Sequence, residues 1–241
     1  MIAELKKQLR SFKLSGMADT IELRLKEAES GISCSDFLGL LLEDEVIKRS
    51  DNRRKKLYRK AHLPFEKGIE DFDFSFQPSI KRQDIIELST CHFLERHVNI
   101  MLIGQPGTGK THLSVALALS ALSRGKTALF TTVWDMINTL QQSRADYSYQ
   151  RKIQQYLKPE LLILDELGYR SMAESTVEDF FEIVSRRYEK GSIIITSNKP
   201  IHLWDTVFVD KTLTTAVVDR LLHHSYVIEI KGESYRFRKR D

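Results

Sequence analysis

Cysteine is nearly absent from this chain. Cys34 and Cys91 stand far apart among 241 residues, which excludes a disulfide framework and a closely spaced zinc pair and suits a reducing compartment. Long apolar runs are missing too: nothing approaches the ~18 residues of a membrane-crossing helix, and Met1 to Lys7 has no apolar targeting core. A cytoplasmic protein with no membrane partner is therefore expected. Internal repeats and low-complexity tracts are also lacking. What remains is an ordinary globular composition, 41% hydrophobic, enough for one sizeable core and a smaller second unit.

Net charge is only +4, but it is unevenly placed. Residues 1–62 carry 14 Lys/Arg against 10 Asp/Glu, whereas residues 63–241 carry 23 of each. Much of the excess lies between Lys48 and Lys60, where Arg53, Arg54, Lys55, Lys56, Arg59 and Lys60 face one acid, Asp51. Such a run is either a solvated helix face or a surface for a polyanion such as duplex DNA.

Apolar spacing divides the chain into three parts. Residues 1–62 read as three helices, the first carrying Ile2, Leu5, Leu9 and Phe12, the second ending near Ser30-Gly31, and the third capped by Ser33 or Ser35. The third begins apolar, from Phe37 to Ile47, and ends basic, so its first half should pack on the other two while its second half meets solvent. We expect this helical domain to bind DNA or a partner. Residues 63–79, with Pro64, Gly68 and Pro78, read as a linker; on an extended chain Phe72, Phe74 and Phe76 would share one face and dock on the next domain. Residues 80–241 alternate helix and strand. Helices are expected near Ile80–Glu95, His112–Ser123, Val133–Gln142, Thr176–Glu189 and Thr214–His223. Strands are expected at Val98–Ile103, Thr127–Thr131, Glu160–Leu164, Ser192–Ser197 and Tyr226–Ile230. That alternation implies a mainly parallel sheet covered by helices.

Gly104-Gln105-Pro106-Gly107-Thr108-Gly109-Lys110-Thr111 joins the first of these strands to a helix and fits the phosphate-loop pattern G-x-x-x-x-G-K-[ST]. Its glycines let backbone amides approach phosphate oxygens, and the helix start adds partial positive charge. Lys110 would reach the β- and γ-phosphates of ATP, and the Thr111 hydroxyl would ligate Mg²⁺. Leu161 to Leu164 runs into Asp165-Glu166, a Walker B pattern in which Asp165 holds the Mg²⁺ shell through water and Glu166 polarises the attacking water.

Two further polar residues compete between roles. Asn198, at the tip of Ile193–Ser197, either bonds the γ-phosphate or lytic water or forms a turn before Lys199-Pro200. Arg220 either neutralises transition-state charge, in cis or from a neighbouring subunit, or pairs with Asp219 or another nearby acid. Arg236 is a weaker second arginine, and Arg187 reads as a solvated helix charge. Arg144 to Lys152 interleaves Tyr147 and Tyr149 with Arg151 and Lys152, suited to stacking on nucleic acid or packing on a partner. His92, His97, His223 and His224 lack acid or cysteine companions at ligand spacing and read as structural.

The segments 104–113, 162–169, 185–189, 194–200, 219–223 and 232–236, with Asp165-Glu166-Leu167-Gly168-Tyr169 and Gly232-Glu233-Ser234-Tyr235-Arg236 the most specific, resemble the IstB family of transposition helper ATPases, relatives of the DnaC helicase loader. The N-terminal helices and linker are similar too. The resemblance implies an AAA+ ATPase that oligomerises on duplex DNA with ATP, deforms it, and aids a cognate transposase, with hydrolysis resetting the assembly. It supports Asn198 as a sensor and Arg220 as a trans-acting finger. Too few residues follow the last strand for a full lid, so the lid arginine of the wider class is not expected. A helicase loader with the same engine is the alternative. An acceptor-phosphorylating kinase and a DNA-binding protein with a vestigial loop fit the Asp-Glu pair less well.

Overall fold

A computed structural model of the chain describes residues 1–208 and 211–235, and these separate into two compact units, Met1–Lys56 and Leu57–Asp241. The first unit is helical: α1 is Ile2–Ser11, α2 is Ser15–Glu29, and α3, Cys34–Ala61, begins here. Ser33 rather than Ser35 starts α3, its Oγ accepting the Asp36 N–H at 3.1 Å. Met17, Ile21 and Leu41 form the buried centre, flanked by Leu9, Leu14, Leu25 and Phe37.

Polar contacts do much of the joining in this unit. A side chain at Gly16 would meet the α3 backbone at Asp44 and Glu45 2.6 Å away, so glycine is what lets α2 and α3 touch. The buried Glu45 carboxylate accepts from the Gly16 and Met17 amides at 2.6 and 3.2 Å, satisfying the start of α2, and pairs with Arg49 at 2.7 Å. Arg24 grips Asp44 with two bonds of 2.8 Å. Lys48 pairs with Asp19 at 2.8 Å. The last turn of α3 belongs to the second unit, so the division falls after Lys56 rather than at residue 62: Ala61 is buried there, with Leu57 and Tyr58 packed around it.

In the second unit, α4 is Arg82–Ser89, α5 is His92–Glu95, β1 is Asn99–Gly104, α6 is Lys110–Ser123, β2 is Ala128–Thr132, α7 is Val133–Ala145 and α8 is Tyr149–Leu157. β3, Leu161–Leu167, α9, Glu174–Arg187, β4, Ser192–Ser197, α10, Lys211–His223, and β5, Ser225–Ile230, complete it, with a 3-10 turn at Ile201–Thr206. Every pairing is parallel, in the order β2-β3-β4-β1-β5. Strand alternation explains the near-continuous apolar runs. Met101, Ile103, Leu162, Leu164, Ile193 and Ile195 enter one core with residues of α7 to α10, while Ile100, Leu102, Leu161, Ile163 and Ile194 enter the other with residues of α4 and α6. Among the described residues no helix is long and apolar enough to cross a membrane.

Four expectations change. The helix over Ile80–Glu95 is broken at Cys91, which adopts φ 67° and starts α5 anew. α8 is a helix beyond those expected. The linker is folded into turns, with Phe72 N–H on Ile69 O at 3.2 Å and Phe74 N–H on Phe72 O at 3.1 Å. Its phenylalanines do dock on the sheet unit, but not as one extended face: Phe72 is buried against α6 with the Phe74 ring 4.9 Å from it, and Phe76 meets Tyr235 edge-on at 5.2 Å. Arg187 is not solvated but 2% exposed, and it donates to the carbonyls of Tyr156, Leu157, Pro159, Glu160 and Ser192 at 2.8 to 3.2 Å. Those carbonyls lie where α8 gives way to β3 and where β4 begins, and one guanidinium satisfies them together. Burial alone pulls its pKa down to about 10, which still leaves it charged at neutral pH.

Candidate nucleotide site

Residues 104–111 turn from β1 into α6 at the carboxyl edge of the sheet. Gly107 and Gly109 take φ 82° and 95°, a region side chains resist. A side chain at Gly107 would also collide with Ser234, and one at Gly109 with the Phe72 ring, so the loop is confined on both sides. Lys110 is 7% exposed and donates to its own loop, to Gly104 O at 2.7 Å and Gln105 O at 2.8 Å. A cavity of about 330 Å³ opens above the loop.

Asp165 and Glu166 differ sharply in setting although adjacent. The β3–β4 register slips between Leu164 and Leu167, a bulge that puts both acids opposite Thr196. Glu166 takes φ 66° and points outward, exposed, while Asp165 is 4% exposed. The Thr196 hydroxyl donates to Asp165 at 2.5 Å and accepts the Glu166 N–H at 3.0 Å, and the Thr111 hydroxyl donates to both Asp165 oxygens at 3.1 Å. Burial pushes the Asp165 pKa up, and Thr196, Thr111 and the Lys110 charge oppose that rise. A buried carboxylate with a threonine hydroxyl beside a phosphate loop is a donor set that fits Mg²⁺, a hard cation preferring oxygen ligands and few protein groups.

Gly107, Thr108, Gly109, Lys110, Thr111, Asp165 and Glu166 all line this one cavity. Gly104, Gln105 and Pro106 complete the loop at its base. Asn198 does not line it; the residue is half-buried just past β4, and its Oδ1 is buried near Gly168 with no hydrogen-bond partner among the described residues. Arg220 is also elsewhere, on α10, donating to Ala216 O at 3.0 Å with its guanidinium 4.9 Å above the Phe181 ring. Arg236 lies outside the described residues. Thr196, Gln77 and Tyr235 line the cavity although sequence reasoning does not point to them as its walls. Thr196 does carry a signal, a hydroxyl two residues before the Asn at a strand tip.

The basic run on α3 is open to solvent, and the basic residues around α8 are partly engaged. Arg53, Arg54, Lys55, Lys56, Arg59 and Lys60 are exposed along α3, with Arg54 paired to Asp51 at 3.2 Å. On α8 Arg151 is exposed and Lys152 half-buried. Arg144 is engaged, 2.6 Å from the buried Asp179 and 4.2 Å over the Tyr149 ring. His223 and His224 are exposed, with His223 Nδ1 hydrogen-bonded to the Tyr188 hydroxyl at 2.9 Å, and the fold brings Glu189 beside them, 4.0 Å from His224 Nε2. Glu189 is distant in sequence, so spacing could not reveal it.

A phosphate loop on β1, two acids ending β3 and a parallel sheet of order β2-β3-β4-β1-β5 define a P-loop nucleotide-binding fold of the AAA+ class. The AMPPCP-bound DnaA structure from Aquifex aeolicus is similar at TM-score 0.60 and 25% identity, over 74% of this chain and about half (54%) of the DnaA chain. The DnaC helicase loader structure is similar in fold, TM-score 0.56 at 22% identity, over 72% of this chain and 98% of that one. The chain belongs to the family described as IstB-like ATP binding protein, whose model matches residues 7–241. A Pseudomonas aeruginosa relative named for insertion sequence IS21 and for ATP binding is 40% identical over 98% of this chain and 90% of its own.

Proposed function

We propose that this protein binds and hydrolyses ATP and, in its ATP state, oligomerises on duplex DNA as a helper for a cognate transposase. The observation that carries the reading is the convergence of Thr111 and Thr196 on buried Asp165 beside the phosphate loop, with Glu166 turned outward next to it. Family membership and an insertion-sequence relative support the transposition context.

In this reading the loop amides and Lys110 hold the β- and γ-phosphates, and Thr111 and Asp165, the latter through water, hold Mg²⁺. Held there, a Mg²⁺ ion would supply neutralisation of the phosphate charge. Glu166 orients the lytic water, and Thr196 fixes the backbone that presents it. Asn198 turns toward the γ-phosphate when nucleotide arrives, and its unpaired Oδ1 leaves little to hold it back. Arg220, remote from the cavity of its own chain, serves the cavity of a neighbouring copy. Residues 1–62 with their basic helix end, and Arg151 and Lys152, contact phosphates, with little base reading. Residues 63–79 pack in the same compact unit as the ATPase core, 80–241.

Duplex DNA should stimulate ATP hydrolysis, and assembly on DNA should need ATP but not its cleavage. Lys110→Ala should abolish both, and Glu166→Gln should retain ATP and trap the assembly. Assembly unchanged in Lys110→Ala would sink the reading. Neutralising Arg53, Arg54, Lys55 and Lys56 together should flatten the salt dependence of DNA binding while leaving basal hydrolysis intact. Pull-down with a cognate transposase, and not with a replicative helicase, separates helper from loader.

A further inference from the structure

The segment after β5 is tied to both the linker and the phosphate loop. The Lys231 amide donates to Ser79 Oγ, Gln77 Nε2 donates to Glu233 O, and the Tyr235 amide donates to Gly107 O, each at 3.0 Å. Ser234 fills the space a side chain at Gly107 would need. The Tyr235 ring meets Phe76 edge-on, 5.2 Å between centroids, yet the residue stays 40% exposed and lines the cavity. The hydrolytic roles assigned to Lys110, Asp165 and Glu166 use none of these contacts.

The cavity lining is of two chemical kinds. Gly107 to Thr111 with Asp165, Glu166 and Thr196 supply amides, hydroxyls and charges suited to phosphates and their cation. Phe65, Phe72, His112, Tyr169 and Tyr235 supply rings, and Gln77, Asp71 and Asp73 add polar groups. An aromatic side chain anchored through its own amide and held by a T-shaped ring contact, with part of its surface open to a cavity, costs little entropy when a flat ligand settles on it.

We propose that Tyr235 is the base-binding platform of the nucleotide: its ring packs on the purine while its amide, bonded to Gly107 O, sets the distance from base to phosphates. This deepens the proposed ATP binding and rests on it. Stacking tolerates different bases, so Tyr235 contributes affinity for the nucleoside part rather than selection of adenine over guanine. The linker, held to the same segment by Gln77 and Ser79, also lines the cavity through Phe65, Phe72 and Gln77.

Titration calorimetry of the full chain with Mg²⁺ tests this, using ATP and inorganic tripolyphosphate as paired probes. Tyr235→Leu, which keeps apolar bulk without a π-face, should weaken ATP binding on the order of tenfold and leave tripolyphosphate binding unchanged. Tyr235→Phe should bind both as the parent does. Unchanged tripolyphosphate affinity also shows that the variant is folded. Equal loss of both ligands in Tyr235→Leu would mean that the residue acts through the phosphate loop, overturning the proposal. ATP affinity unchanged in Tyr235→Leu would overturn it as well. A parent chain that binds neither probe would instead remove the nucleotide reading beneath it.

Discussion

The helical unit and the sheet unit are held together by different means. In Met1–Lys56 the buried apolar centre is Met17, Ile21 and Leu41, while Phe12, Leu23, Leu38, Leu42, Val46 and Ile47 remain exposed. In Leu57–Asp241 both faces of a sheet are sealed by helices, and Trp204, Phe180, Phe208, Leu113 and Leu117 are fully buried. Burial stabilises roughly in proportion to apolar area, so the first unit draws little from it and leans on Arg24–Asp44 and on the Glu45 carboxylate at the start of α2. The lesson is that one chain can carry a unit with an extensive apolar core beside a helical unit with a small one, and the smaller core is expected to open at lower free energy.

The sharpest way to break this contrast is to damage the sheet unit through the buried guanidinium of Arg187. Arg187→Leu strands carbonyls around α8, β3 and β4 and should cost about 3 kcal/mol or more. Trp134 and Trp204 both lie in the sheet unit, so tryptophan fluorescence during urea unfolding reads the loss directly; an unshifted midpoint would refute the role given to Arg187.

Next in size is a change in the helical unit. Gly16→Ala pushes a methyl into the α3 backbone and should cost about 1–3 kcal/mol there. Amide hydrogen exchange over residues 1–56 should quicken while the tryptophan transition stays in place. A shift of both would show that the units unfold as one.

The smallest expected effect is of pH. Burial pushes Glu45 up, but the Arg49 side chain and the Met17 and Gly16 amides outweigh it and hold the carboxyl below its usual value. Arg24 does the same for Asp44 against a smaller burial effect. Groups depressed on folding contribute stability above their unfolded pKa and lose it as pH falls through the folded one. Protection of the helical unit should therefore fade below about pH 4, earlier than that of the sheet unit. Exchange rates tracked from pH 6 to pH 3 check this, and parallel fading in both units would count against it.

Much of the sheet is legible in the sequence because its strands are near-continuous apolar runs bounded by polar tips, and the phosphate loop and Asp165-Glu166 sit at those tips. α8 escapes because Arg144 to Ser148 is polar, although Tyr149, Ile153 and Tyr156 do recur at helical spacing. The break at Cys91 has no glycine or proline to announce it. Arg187 misleads since its partners are backbone carbonyls, which leave no mark in a sequence. The linker misleads for a related reason: alternation of Phe with Asp and Ser suggests an extended strand, whereas local turns decide where each ring goes.

The slip in register at Asp165-Glu166 makes a single hydroxyl on β4 the shared reference for two carboxylates with opposite needs, one sheltered and one facing outward. Any sliding of β4 along β3 must therefore disturb both acids together, so the spacing between the two carboxylates is inherited from the sheet itself.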